Sequence, residues 1–301
     1  MSCRPGRPLR AALAVLLTAL ALALTLTPSA ARAADVVVVR SSDQSAFKAV
    51  EQAFAAELPA AKSLLATAPG LDLKAELAGA KLVLAVGPDA ARAVMAAHGG
   101  VPVLVALAAE AELAGAKPAG IVPMFVAPAR QVKLAKAFLP TLARVGIVYD
   151  PSKTRAMASE FESAAKAAGL TLEKSEVTSR GAVIDAARAM MPKIDVLWLL
   201  PDSTVVGLDT FKVLIATTVA AKVGLVGFTE GMARTGAVLS IEASYAEIGR
   251  RAAAAGKRLL AGGAAAPEAP EGAAFVNAKT AELIGLTLSP KARAEAAKVF
   301  E

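Results

Sequence analysis

Apolar residues along this chain come in short blocks that stop at polar turns, and each block precedes a helix-length stretch with apolar positions three or four apart. Val36 to Val39 run into Arg40-Ser41-Ser42-Asp43-Gln44, after which Phe47, Val50 and Phe54 recur at helical spacing. Val145, Ile147 and Val148 likewise end in Tyr149-Asp150-Pro151-Ser152, before a predicted helix over residues 153–168. A continuous apolar block is the pattern of a strand buried on both faces, and the polar turn marks where a helix starts. The pattern begins afresh at Arg144, which predicts two similar lobes with a cleft between them.

The same spacing predicts strands over 36–39, 63–66, 82–86, 101–107 and 121–125, then over 145–148, 172–177, 196–200, 225–228 and 238–241. Asp72 is placed to cap one intervening helix, and Pro88 opens another, since proline at the first helical position has no amide to leave unpaired. Ser244 and Glu247 form a predicted capping box for a long helix ending near Leu260. Ser289-Pro290 starts the last helix, and the Ala/Pro/Gly stretch 262–272 reads as a connection between lobes. Strands alternating with helices give an α/β fold of two doubly wound parallel sheets, each covered on both faces.

The beginning of the chain is read as a targeting segment. Arg4, Arg7 and Arg10 precede an apolar run from Ala11 to Leu26, Thr27-Pro28-Ser29 breaks it, and Ala31-Arg32-Ala33 is a small-x-small cleavage site. This predicts a secretory signal peptide over 1–33, in preference to a membrane anchor, because the run is shorter than the ~20 residues a span needs. The whole chain carries a formal +7, but without residues 1–33 it has 29 basic against 26 acidic residues, a net +3. With no basic block interleaved with aromatics, nucleic acid is not an expected partner. Cleavage would also remove Cys3, the only cysteine, and so any disulfide or thiol chemistry. The expected product is a monomeric, exported, periplasmic protein that is not lipid-anchored.

Four stretches carry a family resemblance. Residues 131–154, QVKLAKAFLPTLARVGIVYDPSKT, resemble the crossover and second-lobe opening of the ABC-transporter substrate-binding proteins that include tryptophan- and tyrosine-type binders. DVLWLLPDSTVV (195–206) is similar to that family's strand and proline-aspartate loop, and residues 236–260 to its return strand and helix. FVNAKTAELIGLTLSP (275–290) is similar to its terminal segment. The resemblance implies a type I periplasmic-binding-protein fold. It divides the chain into a first lobe of 34–126 and 244–262 and a second of 143–241 and 273–301. Crossovers at 127–142, 242–243 and 263–272 would act as a three-strand hinge. It further implies capture of a small polar or zwitterionic ligand for an ABC permease in the inner membrane. The first lobe departs from the family pattern: the loop after its second strand is reduced to Ala68-Pro69-Gly70, and the apolar stretch 106–111 replaces a polar one. Such erosion also fits a periplasmic sensor or accessory protein of the same fold.

Ligands of open parallel sheets bind beyond the carboxyl ends of the strands, so the strand-end turns supply the candidates. In the first lobe these are Ser41, Ser42, Gln44 and Gly87; in the second, Tyr149, Ser152, Thr154, Asp202, Ser203, Thr204, Phe228, Glu230 and Glu242. Serines and free amides at helix starts suit a carboxylate. Asp202 and Glu242 suit an ammonium, and Tyr149 or Phe228 an apolar side chain. Each has a competing structural role. The serines and Asp43 are ordinary N-caps, Asp202 suits a turn after proline, and Glu242 can pair with Arg234, Arg250 or Arg251 at the surface.

Trp198 lies within an apolar strand and is expected in the core, and His98, the only histidine, is expected to end a helix rather than bind metal. No nucleophile beside a base, paired carboxylates, metal cluster or phosphate-binding glycine loop is readable. The sequence therefore points to a binding protein without cofactor or metal, with an exported enzyme as the less favoured class.

Overall fold

Val36 and Val38 of the first strand pack into one apolar cluster and Val37 and Val39 into another, so both faces of the strand are buried. That arrangement explains the unbroken apolar run, because side chains alternate between faces and neither face meets water. The computed structural model describes residues 35–59, 62–113 and 115–301 and repeats this principle in two lobes. The signal peptide expected over 1–33, with Cys3, lies outside the described residues.

The first lobe holds β1 (Val36–Arg40), α1 (Ser45–Glu57), β2 (Lys62–Leu65), α2 (Leu73–Leu77), β3 (Leu82–Val86), α3 (Pro88–Ala97), β4 (Val103–Ala106) and β5 (Gly120–Ile121). Its sheet is parallel, in the order β2-β1-β3-β4-β5. Val50 and Phe54 of α1 cover one face; Leu77 of α2 and Ala90, Ala91 and Val94 of α3 cover the other. The strand expected over 121–125 shrinks to the two residues of β5. Val122 still donates to the Val105 carbonyl, but Pro123 has no N–H to continue the ladder and the chain leaves the sheet.

The chain then enters α4 (Pro128–Phe138), within the stretch expected as the first crossover. Val132, Ala135 and Phe138 of this helix pack into the second lobe's core. There follow β6 (Arg144–Tyr149), α5 (Pro151–Ala167), β7 (Thr171–Glu176), α6 (Val183–Met190), β8 (Val196–Trp198), α7 (Leu208–Ala220), β9 (Gly224–Gly227), α8 (Glu230–Thr235) and β10 (Leu239–Glu242). The order β7-β6-β8-β9-β10 repeats the winding of the first lobe. Trp198 is 1% exposed, its ring 4.9 Å from Phe161, and its indole N–H donates to Gln131 Oε1 at 3.2 Å. The same Gln131 donates to the Val126 carbonyl, tying the incoming chain to this core.

After β10 the chain returns to the first lobe as α9 (Tyr245–Leu260), whose Ile248, Ala252, Ala253 and Ala255 join the cluster beneath α1. A Cβ at Gly249 would stand 2.3 Å from the Val50 carbonyl oxygen, so α9 approaches α1 at a distance that glycine permits. A third crossing leads back to β11 (Ala273–Asn277), α10 (Ala278–Ile284), α11 (Pro290–Glu295) and β12 (Lys298–Phe300). β11 is antiparallel to β10, and β12 is parallel to β11. These two strands extend the second sheet to seven and were not among the strands the spacing predicts.

The predicted caps form at Asp72, which accepts from the Ala75 amide, and at Ser289, which accepts from the Ala292 amide. The capping box at α9 is only half formed. Ser244 Oγ accepts from the Glu247 amide, but the Glu247 carboxylate accepts from the amides of Glu271 and Gly272 instead of returning to Ser244. The end of the third crossing pairs with no strand there, and Glu247 satisfies two of its amides. His98 ends α3 as expected, with Nδ1 3.0 Å from the Val101 carbonyl oxygen.

Candidate ligand-binding cleft

Where the strand ends of the two lobes face each other, a cavity of about 310 Å³ opens. Gln44, Ala46 and Phe47 at the start of α1 and Leu107 just after β4 form its first-lobe wall. Met124 and Phe125 come from the segment between β5 and α4, and Phe228, Thr229 and Glu242 from the ends of β9 and β10. Ala243, Tyr245 and Ile248 close it along the second crossing and the first turns of α9. A larger groove of about 700 Å³ lies between α6 and α7 on the outer face of the second lobe, away from both sets of strand ends.

The lining is apolar with few polar groups. Glu242 is the only acidic or basic side chain among the lining residues, and its Oε2 accepts from the Glu230 amide at the start of α8. Among the described residues, no hydrogen bond reaches its Oε1. Gln44 precedes α1 without a side-chain cap, so the first-turn amides beside Ala46 and Phe47 have no intrahelical acceptor. Leu107 takes φ 54°, an uncommon conformation for a branched side chain, at the point where β4 delivers it to the cavity.

Of the sequence-predicted site residues, the cavity brings together Gln44, Phe228 and Glu242. Glu242 binds the α8 amide rather than the arginines considered at the sequence level; Arg234 pairs with Glu230, and Arg251 with Glu247, Glu268 and Glu271. Ser41 and Gly87 stand behind the wall. Ser41 Oγ accepts from the Ala90 amide at 2.9 Å, and a Cβ at Gly87 (φ 91°) would lie 2.9 Å from the Phe47 ring. Ser42 Oγ accepts from the Gln44 amide. Hydrogen bonds from Arg40 and Lys48 hold the neighbouring Asp43 below the ordinary carboxylate range. Arg234 and Lys298 do the same to Glu230.

The remaining candidates form a separate polar cluster at the second lobe's strand ends. The Asp202 carboxylate, 1% exposed, accepts from the Asp150 amide at 2.7 Å, Thr154 Oγ1 at 2.6 Å and the Thr204 amide at 2.9 Å. Thr204 Oγ1 and Ser152 Oγ donate to Asp150, which lowers that carboxyl's pKa. Thr154, which donates to Asp202, interrupts α5 with a φ of −131° and a ψ of 21° that are not helical. The Ser203 carbonyl accepts from Arg180. The Tyr149 hydroxyl donates to Glu176 at 2.7 Å, which raises its pKa by favouring the neutral phenol.

Sequence reasoning missed Phe47, Leu107, Phe125, Tyr245 and Ile248 as cleft residues. Phe47 and Ile248 follow helical spacing and read as core, and Tyr245 immediately follows an N-cap. Their proximity to strand-end turns was the available signal.

Residues 73–300 match the model of the family described as ABC transporter substrate binding protein. The chain belongs to this family. No curated protein matches it by sequence. Among solved structures, an ABC domain in complex with L-Trp from Streptococcus pneumoniae is 18% identical with a TM-score of 0.54, over 88% of this chain and 99% of that one. A ligand-free, open substrate-binding protein from Clostridium difficile is 16% identical with a TM-score of 0.65, over 88% and 98% of the two chains. A conserved domain protein from Vibrio cholerae is 20% identical with a TM-score of 0.56, over 89% and 99%. The two-lobed fold is of the type I periplasmic-binding-protein kind. Proteins of the family bind small ligands and deliver them to ABC permeases. Among the described residues, no helix is long and apolar enough to cross a membrane, and no cluster of three or more His, Cys, Asp or Glu residues is placed to hold a metal.

Proposed function

We propose that the protein is the periplasmic, signal-peptide-exported receptor of an ABC importer. It closes two lobes on a small amino-acid-like molecule with an apolar side chain and presents it to an inner-membrane permease. The observation that carries this reading is the cavity itself, whose walls come from both lobes and the crossings between them. Its volume is at the small end of the ~300–1,000 Å³ usual for ligand sites, which suits an amino-acid-sized molecule. Phe125 and Phe228, across the junction, support an apolar ligand side chain, and Glu242 supports an ammonium. Contacts made only when the lobes are closed would shift the population toward closure, and no bond in the ligand changes.

A thermal-shift screen against amino acids, short peptides, sugars, nucleosides and carboxylates tests this. A cargo at a hundredfold excess over its dissociation constant adds about 2.7 kcal/mol to stability. A concentration-dependent rise in Tm for one chemical class is expected. A flat response throughout would overturn solute capture and favour a sensor or accessory role.

A further inference from the structure

Four of the chain's twelve aromatic residues, Phe47, Phe125, Phe228 and Tyr245, line this one cavity, and they share it with a single charged side chain, Glu242. Such a concentration in a chain with only 4% aromatic residues calls for a chemical reason. We infer that the obligatory group on the cargo is a cationic amine attached to an apolar body, and that a cargo carboxylate is dispensable. This rests on the solute-receptor reading and specifies its ligand class.

The argument is one of charge. A cation entering the cavity meets the Glu242 carboxylate, whose Oε1 accepts no hydrogen bond from the described residues, and aromatic rings, whose π-systems attract a desolvated cation brought over them. An anion meets a resident carboxylate and no lysine or arginine among the lining residues. Its positive counterparts there are helix starts alone: α8 is already engaged by Glu242 and capped by Thr229, and α9 is capped by Ser244, which leaves the uncapped start of α1 with the partial charge of a helix end. Burying a carboxylate without a full countercharge is costly, and a second carboxylate nearby adds to that cost. The cavity thus neutralises a monocation fully and a zwitterion only in part. Phe228 and Glu242 come from the second lobe, whereas Phe47 comes from the first. An amine seated between them is bridged by both lobes only on closure.

Three probes with the same phenyl ring separate the possibilities: phenethylamine, L-phenylalanine and 3-phenylpropionate, titrated calorimetrically into the purified protein. Phenethylamine is expected to bind at least as tightly as L-phenylalanine, with no measurable binding of 3-phenylpropionate. Glu242→Gln is expected to weaken phenethylamine binding at least tenfold. Tenfold tighter binding of L-phenylalanine than of the amine, or binding of the acid, overturns the inference, and neither comparison needs a variant to fold. If none of the three binds but the wider screen finds another cargo, the amine inference falls and the solute-receptor reading stands. If nothing in either set binds, both fall.

Discussion

The rings of Phe125 and Phe228 meet edge to face across the lobe junction, with 6.0 Å between centroids and 83° between planes. One ring lies between β5 and α4 and the other just after β9, so the contact joins the first-lobe side of the junction to the second. An edge-to-face pair contributes about 0.5–1.5 kcal/mol beyond its buried area. Phe125→Ala and Phe228→Ala are each expected to weaken cargo binding, with the double variant losing less than the sum, because either substitution removes the shared contact. Calorimetry on the four proteins measures this. Strictly additive losses would mean that the rings act separately.

Asp202 is expected to matter for folding stability. Its carboxylate holds the amides of Asp150 and Thr204 and the hydroxyl of Thr154, joining the ends of β6 and β8 to the first turn of α5. Asp202→Ala leaves these donors without their acceptor, at about 1–3 kcal/mol for each one that water does not reach. Urea unfolding is expected to show a loss of about 3 kcal/mol, with a smaller loss for Asp202→Asn. A loss below about 1 kcal/mol would show that water replaces the carboxylate.

Acid is expected to destabilise the second lobe. Burial pushes the Asp195 carboxyl upward, but bonds from the Arg144 guanidinium and the Arg144 and Ala143 amides outweigh this and leave its pKa lowered. Thr204 and Ser152 lower that of Asp150. A carboxyl with a lower pKa in the folded state stabilises fully above its unfolded value, about pH 4, and loses that contribution as pH falls through the folded value. Tm followed by circular dichroism should therefore decline below about pH 4, and Asp195→Asn should make the decline shallower. An unchanged acid slope in that variant would assign the effect to other groups.

The contact of α9 with α1 gives a test of the fold. A methyl group at Gly249 meets the Val50 carbonyl at 2.3 Å and the Ala53 Cβ at 2.8 Å, so the helices must separate. Gly249→Ala is expected to cost about 1–3 kcal/mol despite alanine's better helix propensity. Thermal or urea unfolding measures it, and a stabilised variant would mean that the two helices move apart freely.

The buried strands were legible because a strand covered on both faces must be apolar at consecutive positions, as Val36 to Val39 and Leu82 to Val86 are. β11 and β12 were not. Ala273–Asn277 follows a Gly/Ala/Pro stretch, and Lys298–Phe300 spans three residues, so each becomes a strand through the partner it meets. The cleft was legible as a location, since strand-end turns supply Gln44, Phe228 and Glu242. Of its aromatic residues only Phe228 was, because an aromatic residue at helical spacing, such as Phe47, looks the same facing a core or a cavity.

The sequence by itself determined the alternation of strands and helices, the two lobes and the principal caps, because these follow from periodicities of two and 3.6 residues and from local hydrogen bonding. Only the tertiary structure decided which strand-end residues serve one another and which face the cavity. Asp202 and Thr154 are 48 positions apart and satisfy each other, whereas Phe47 and Phe228 reach one cavity from different lobes. The direction of a side chain at a strand end depends on what the folded chain brings against it, and that partner is remote in sequence.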